Sequence, residues 1–131
     1  MAGYSGTPLP RKLGVKPGHQ VLALGAPATL DLGEPGADVH REPGGGPYDV
    51  ILLFCPDMAT LHSTFPQAKA TLVRNGGLWV CWPKRAARIP TDLSDGVVRA
   101  YGLDAGLVDN KVAAIDATWS GLRFVYRVAD R

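Results

Sequence analysis

The sequence has little of several things that announce a function. It has only two cysteines, Cys55 and Cys81, each inside an apolar run. Two such residues make no disulfide framework and read as buried, reduced thiols. Net charge is +2, with 20% of residues charged. That bias is too weak to direct the protein to nucleic acid or to an anionic membrane. The longest strongly apolar run, residues 50–55, is far shorter than a membrane span. The opening MAGYSGTPLPRKLG holds no apolar stretch of signal-peptide length, so a cytoplasmic protein is expected. Three histidines and two cysteines are scattered without ligand spacing, which predicts no metal site. Paired carboxylates for acid–base chemistry are not evident either.

What is there is an ordinary globular composition, 46% apolar, in a chain of 131 residues. That length fits one domain over residues 1–131 with room for a real core. Glycine and proline total 27 (16 + 11) and fall mostly between apolar runs. This points to many short elements joined by sharp turns. Thr7, Pro8 and Gly14 mark a small N-terminal helix as cap, first position and exit. Residues 21–24 are a short continuous apolar run, the mark of a strand buried on both faces. Residues 28–32 have room for a turn or two of helix, and residues 37–40 read as a weak second strand. YDVILLF, residues 48–54, is the strongest strand signal.

Asp57 opens a helical stretch whose apolar face is Met58, Leu61, Phe65, Ala68 and Leu72. Pro66 inside it predicts a break or kink, and Asn75-Gly76-Gly77 its end. LWVCW, residues 78–82, is the next buried strand. A last helix is expected with Thr91 as cap, Leu93, Val97, Val98 and Tyr101 as its buried stripe, and Gly102 as its end. Residues 112–115 and 122–126 then close the chain as an antiparallel hairpin. Continuous buried strands separated by amphipathic helices imply an α/β fold with three layers. It is Rossmann-like, with a mainly parallel sheet and a C-terminal antiparallel hairpin.

VKPGHQVLALG and RNGGLWVCW, with the closing helix and hairpin, resemble the class I methyltransferase-like branch of these folds. The resemblance implies a glycine-rich turn after the first strand that binds S-adenosylmethionine. That turn reads Gly25-Ala26-Pro27-Ala28-Thr29, in which only Gly25 fits, and Pro27 offers no N–H. One strand–helix unit is missing as well, making the fold a degenerate version, and the residues assign no cofactor. GYSGTPLPRKLGVKPG, GGLWVCWPK, PTDL and GLVDNKVAAIDATWSGLRFV are similar to a small bacterial family carried as a domain of unknown function. That likeness implies a compact stand-alone protein of high-GC bacteria and supplies no activity.

Ligands of open parallel sheets bind beyond the carboxyl ends of the strands. Those ends are Gly25-Ala26-Pro27, Cys55-Pro56-Asp57, Trp82-Pro83-Lys84 and Asp116. Trp82-Pro83-Lys84 is the first choice: an indole face, a stiff exit and a cation, with Arg85 and Arg88 beside it for an anionic ligand. The candidate ligand-binding set is therefore Trp82, Lys84, Arg85, Gly25, Asp57 and Asp116. Cys55, ahead of a helix N-terminus, is the only candidate nucleophile, with no base recognisable beside it. Asp57 also reads simply as a helix cap, Glu42 as a loop acid, and Trp119 as a packing anchor. Gly44-Gly45-Gly46 joins no strand to a helix and is no phosphate cradle. Asp109-Asn110-Lys111 reads as a turn before a strand, at the edge opposite the ligand crevice.

These residues favour a non-catalytic binding or regulatory protein that holds a small anionic ligand or a protein partner near Trp82 and Lys84. The alternative is a small enzyme, either S-adenosylmethionine-dependent or thiol-dependent. A nucleic-acid-associated regulator using Lys84, Arg85 and Arg88 is a third, less favoured reading.

Overall fold

A computed structural model describes residues 8–32 and 36–131. Thr7, the expected cap of the first helix, lies outside them. Helix α1, Leu9–Leu13, is a single short turn that starts at a proline and stops at Gly14, whose φ of 80° suits a residue without a side chain. Strands β1 (Gln20–Leu24), β2 (Asp38–His40) and β3 (Tyr48–Phe54) follow. Residues 28–32 form a turn and irregular chain rather than helix. Leu30 and Leu32 are buried there nonetheless.

Helix α2, Met58–Thr71, runs through Pro66 without a break. Pro66 and its neighbour Gln67 are exposed. The lost N–H therefore sits on the solvent side, and the buried face of Leu61, Phe65 and Ala68 holds the helix together. The helix ends earlier than Asn75-Gly76-Gly77 implied, because β4 (Leu72–Pro83) begins at once. Tyr48 of β3 pairs with Leu72, but Val50 pairs with Gly77, so Asn75 and Gly76 lie in a bulge of the strand. Helix α3, Asp95–Asp104, is capped by Ser94, whose hydroxyl accepts from the Val97 N–H. Thr91, the expected cap, instead accepts from the Leu93 N–H in a local turn. Gly102 lies inside α3. A Cβ there would overlap the Phe124 ring, so the glycine is a close-packing site and not a helix stop.

Strands β5 (Leu107–Ala114) and β6 (Trp119–Tyr126) form the closing hairpin. Both are longer than their apolar cores suggested, and Asp109-Asn110-Lys111 falls within β5. A register shift occurs between Asp109 and Lys111. The sheet order is β2-β1-β3-β4-β6-β5. Strands β2, β1, β3 and β4 are parallel, and β6 runs antiparallel to both β4 and β5. One face packs against α2 and α3 through Ile51, Leu53, Leu78, Val80, Leu122 and Phe124. The other packs against α1 and the turn after β1 through Val21, Leu52, Trp79 and Cys81. Trp79 is fully buried, and its Nε1–H donates to the Leu13 carbonyl at 3.0 Å, tying α1 to the sheet. No helix among the described residues is long and apolar enough to cross a membrane.

Candidate functional site

Strand β4 delivers Trp82 and Pro83 to the carboxyl edge of the sheet, where the chain leaves through Lys84 into a short 3-10 helix, Arg85–Ala87. Arg88 ends that helix with φ 56°, turning the chain back along the edge. The returning segment and the first residues of α3 wall a cleft of about 580 Å³. Trp82, Pro83, Ile89, Leu93 and Val112 supply its apolar surface, and Lys84, Arg85 and Ser120 its polar groups. Trp82 is 6% exposed, so the indole is mainly core. The Lys84 and Arg85 side chains have no hydrogen-bond or carboxylate partner among the described residues. Asp95, the acid in the wall, is engaged by Arg99 at 2.8 Å, and Arg99 also reaches Asp109 at 3.0 Å. Those two acids raise the Arg99 pKa. The cleft therefore carries two free cations against one neutralised acid, with the N-terminus of α3 at its side.

Of the six residues picked from the sequence, Trp82, Lys84 and Arg85 meet in this cleft, and the other three do not line it. Gly25 is exposed in the turn after β1. Asp57 caps α2, accepting from the Thr60 N–H at 2.9 Å and the Thr60 hydroxyl at 2.8 Å. Those bonds hold its carboxyl below the ordinary range. Asp116 accepts from the Thr118 and Trp119 N–H groups, both at 2.8 Å, and so shapes the β5–β6 turn. That turn does lie at the carboxyl edge, since Lys84 N–H donates to the Thr118 carbonyl. Trp119 packs edge-on against Phe54, as a packing anchor would.

Cys55 is fully buried, and its Sγ lies 3.7 Å from the Leu53 carbonyl. Burial pushes its pKa up to about 12, away from that of an activated thiol. This environment argues against Cys55 as a nucleophile. Among the described residues no group of histidine, cysteine and acid side chains is arranged to hold a metal ion.

Two further clefts were not picked out from the sequence. One, about 380 Å³, lies between α2 and β1 under residues 43–45. The other, about 240 Å³, lies at the amino ends of the strands and includes Lys16, His19 and Arg123. Both combine residues far apart in the chain, and no local spacing signals them.

No protein-family model matches the chain, and no curated protein does. Among solved structures it is similar to a ribosomal protein L11 methylase from Lactobacillus delbrueckii subsp. bulgaricus. The match has a TM-score of 0.56 and 12% identity, covering 91% of this chain and 74% of that one. At that identity the likeness is one of fold: a methyltransferase-like α/β architecture. The turn after β1 does not suit the cofactor that such a fold implies. Gly25, with φ 73°, lies so close to β3 that a Cβ would stand 3.0 Å from the Phe54 carbonyl oxygen. Pro27 follows without an N–H. Arg41, just past β2, donates to the Pro27 carbonyl at 3.4 Å and the Leu30 carbonyl at 3.1 Å. A guanidinium thus straps the turn where approach to bare backbone is needed. These residues do not fit S-adenosylmethionine.

Proposed function

We propose that the chain is a non-catalytic binding or regulatory protein. It is a single-domain protein of the bacterial cytoplasm that uses a methyltransferase-like fold to hold a small anionic ligand. The observation that carries this reading is the cleft of about 580 Å³ beyond β4, where Lys84 and Arg85 stand unpaired beside an apolar wall. Its volume falls in the range of small-molecule sites. Unpaired cations at the rim and apolar side chains within suit a ligand with one anionic group and a compact apolar or aromatic body. The strapped turn after β1 supports separating this fold from methyl transfer. The buried, protonated Cys55 supports setting thiol chemistry aside. A protein partner docking through an acidic side chain would use the same cations.

Calorimetric titration at low ionic strength with adenosine 5′-monophosphate tests the reading. Saturable binding is expected, with quenching of Trp82 fluorescence. Affinity should fall about a hundredfold or more in the Lys84→Ala/Arg85→Ala double variant, since each of the two lost charge-assisted contacts is worth about 1.5–3 kcal/mol. Added salt should weaken binding moderately. Binding of S-adenosylmethionine followed by methyl transfer would overturn the proposal in favour of the enzyme alternative. Selective binding of long nucleic acid, with a steep salt dependence, would overturn it in favour of a nucleic-acid regulator.

A further inference from the structure

We propose that the opposite end of the sheet carries a second anion site, built on Arg123 and suited to a phosphoryl group. Arg123 lies on β6 directly across from Trp79, on the face that α1 covers. Its side chain is half-buried beside the cleft of about 240 Å³ that Lys16, His19, Asp49, Asn75 and Gly76 also line. The walls come from the amino ends of several strands. His19 precedes β1, Asp49 is in β3, and Asn75 and Gly76 form the bulge of β4. This is the end away from Trp82 and Lys84.

The guanidinium has no carboxylate, carbonyl or hydroxyl partner among the described residues. Partial burial lowers its pKa, and Arg131 nearby lowers it further. A cation held in that state, with its N–H groups facing a cavity, is stabilised by an anion entering the cavity. Gly77 has a definite part in this geometry. A Cβ at residue 77 would overlap the Arg123 guanidinium, so the glycine lets that group lie flat over β4. At Gly76 a Cβ would stand 2.6 Å from the Asp49 carbonyl oxygen. Gly76 thus lines this cleft, and Gly77 seats the guanidinium beside it.

Other donor residues line the same cleft as Arg123. The Lys16 ammonium and the Asn75 amide are both without side-chain partners among the described residues. His19 accepts the Lys16 N–H on Nδ1 at 3.2 Å, which leaves its Nε2–H as a donor. Asp49, the one acid in the wall, is occupied on Oδ2 by the Gln20 N–H at 2.9 Å. Its other oxygen is an acceptor for a hydroxyl next to the anion. Donors on several sides of a small space match the tetrahedral oxygens of a phosphoryl group better than a planar carboxylate. A volume of about 240 Å³ has room for that group with a short hydroxylated stub.

The test is a ¹H–¹⁵N NMR titration of the whole chain at low ionic strength, with inorganic phosphate as probe and acetate as comparison. Saturable shifts are expected at the backbone N–H groups of Lys16, Asn75 and Gly76, weaker with acetate. They should need about tenfold more phosphate in Arg123→Gln and persist in the Lys84→Ala/Arg85→Ala variant. Lys16→Ala, a change on an exposed loop, should also weaken them and decides the matter if Arg123→Gln does not fold. Absence of saturable shifts at these residues would overturn the site. So would shifts indifferent to both single variants, or shifts lost with Lys84 and Arg85. Equal response to acetate would overturn the phosphoryl assignment.

Discussion

Cys55, just past β3, and Cys81, on the neighbouring β4, join opposite halves of the core. Both are fully buried, and burial raises the pKa of each, that of Cys55 to about 12 from an ordinary value of 9.0. The folded state therefore keeps protons that the unfolded chain releases above pH 9. Stability should be intact below pH 9 and fall as pH rises from 9 towards 12, by about 1.4 kcal/mol per pH unit for each such thiol. Urea unfolding of wild type and Cys55→Ala across that range should show the shallower slope in the variant. Gly102 makes a second residue-scale case. Alanine would improve helix propensity by about 1 kcal/mol, yet its Cβ would overlap the Phe124 ring. Overpacking of this kind costs about 1–3 kcal/mol. With the ring enclosed between α2 and α3, the steric cost should win, and Gly102→Ala should lower the thermal midpoint. Arg123 shows where residue-level reading stops. Nothing in WSGLRFV marks its arginine as unpaired, because its neighbours are Lys16, His19, Asp49, Asn75, Gly76 and Gly77.

At the scale of elements, most of the fold was legible. The strand read at residues 48–54 matches β3, and the run at 21–24 lies within β1. Continuous β-branched and aliphatic sequence leaves few alternatives there. The errors fall where a local signal competes with packing. Pro66 predicts two short helices or a kink, whereas α2 is a single helix through it, with the proline on the exposed side. Its replacement by alanine restores an N–H and should raise stability by about 1–2 kcal/mol, measured by urea unfolding. The gain stays below the full helix penalty of about 3 kcal/mol because alanine also frees the unfolded chain. Thr91 and Ser94 are both plausible caps by type, and the burial of Leu93 between them decides for Ser94. The segment walling the cleft is tied to α2 by the Asp92 carboxylate, which accepts the Met58 N–H at 2.8 Å. Asp92→Ala should release that tie. Hydrogen exchange at the Met58 amide should then quicken and ligand affinity at the Trp82 cleft should fall, with little change in the unfolding midpoint.

For the molecule as a whole, the sheet brings two sets of unpaired cations to its opposite ends, Lys84 with Arg85 at one and Lys16 with Arg123 at the other. The turn after β1 that such a fold devotes to a cofactor lies at the same carboxyl edge as Lys84 and is strapped by Arg41. Calorimetry with S-adenosylmethionine should therefore give no heat. Arg41→Ala alone should not create binding, because Pro27 still lacks a donor.

Sequence alone determined the alternation of strands and helices, the α/β class, and the poor turn after β1. Those depend on periodicity and on the backbone chemistry of a few adjacent residues. It also placed Trp82, Lys84 and Arg85 together, since neighbours in the chain at a strand end stay neighbours in space. Only the tertiary structure decided that Gly25, Asp57 and Asp116 lie outside that cleft. It alone brought Arg123 over Gly77 beside Lys16. The reason is physical: a cleft is made of surfaces from strands distant in sequence, and whether a side chain is paired depends on which distant group packing sets beside it.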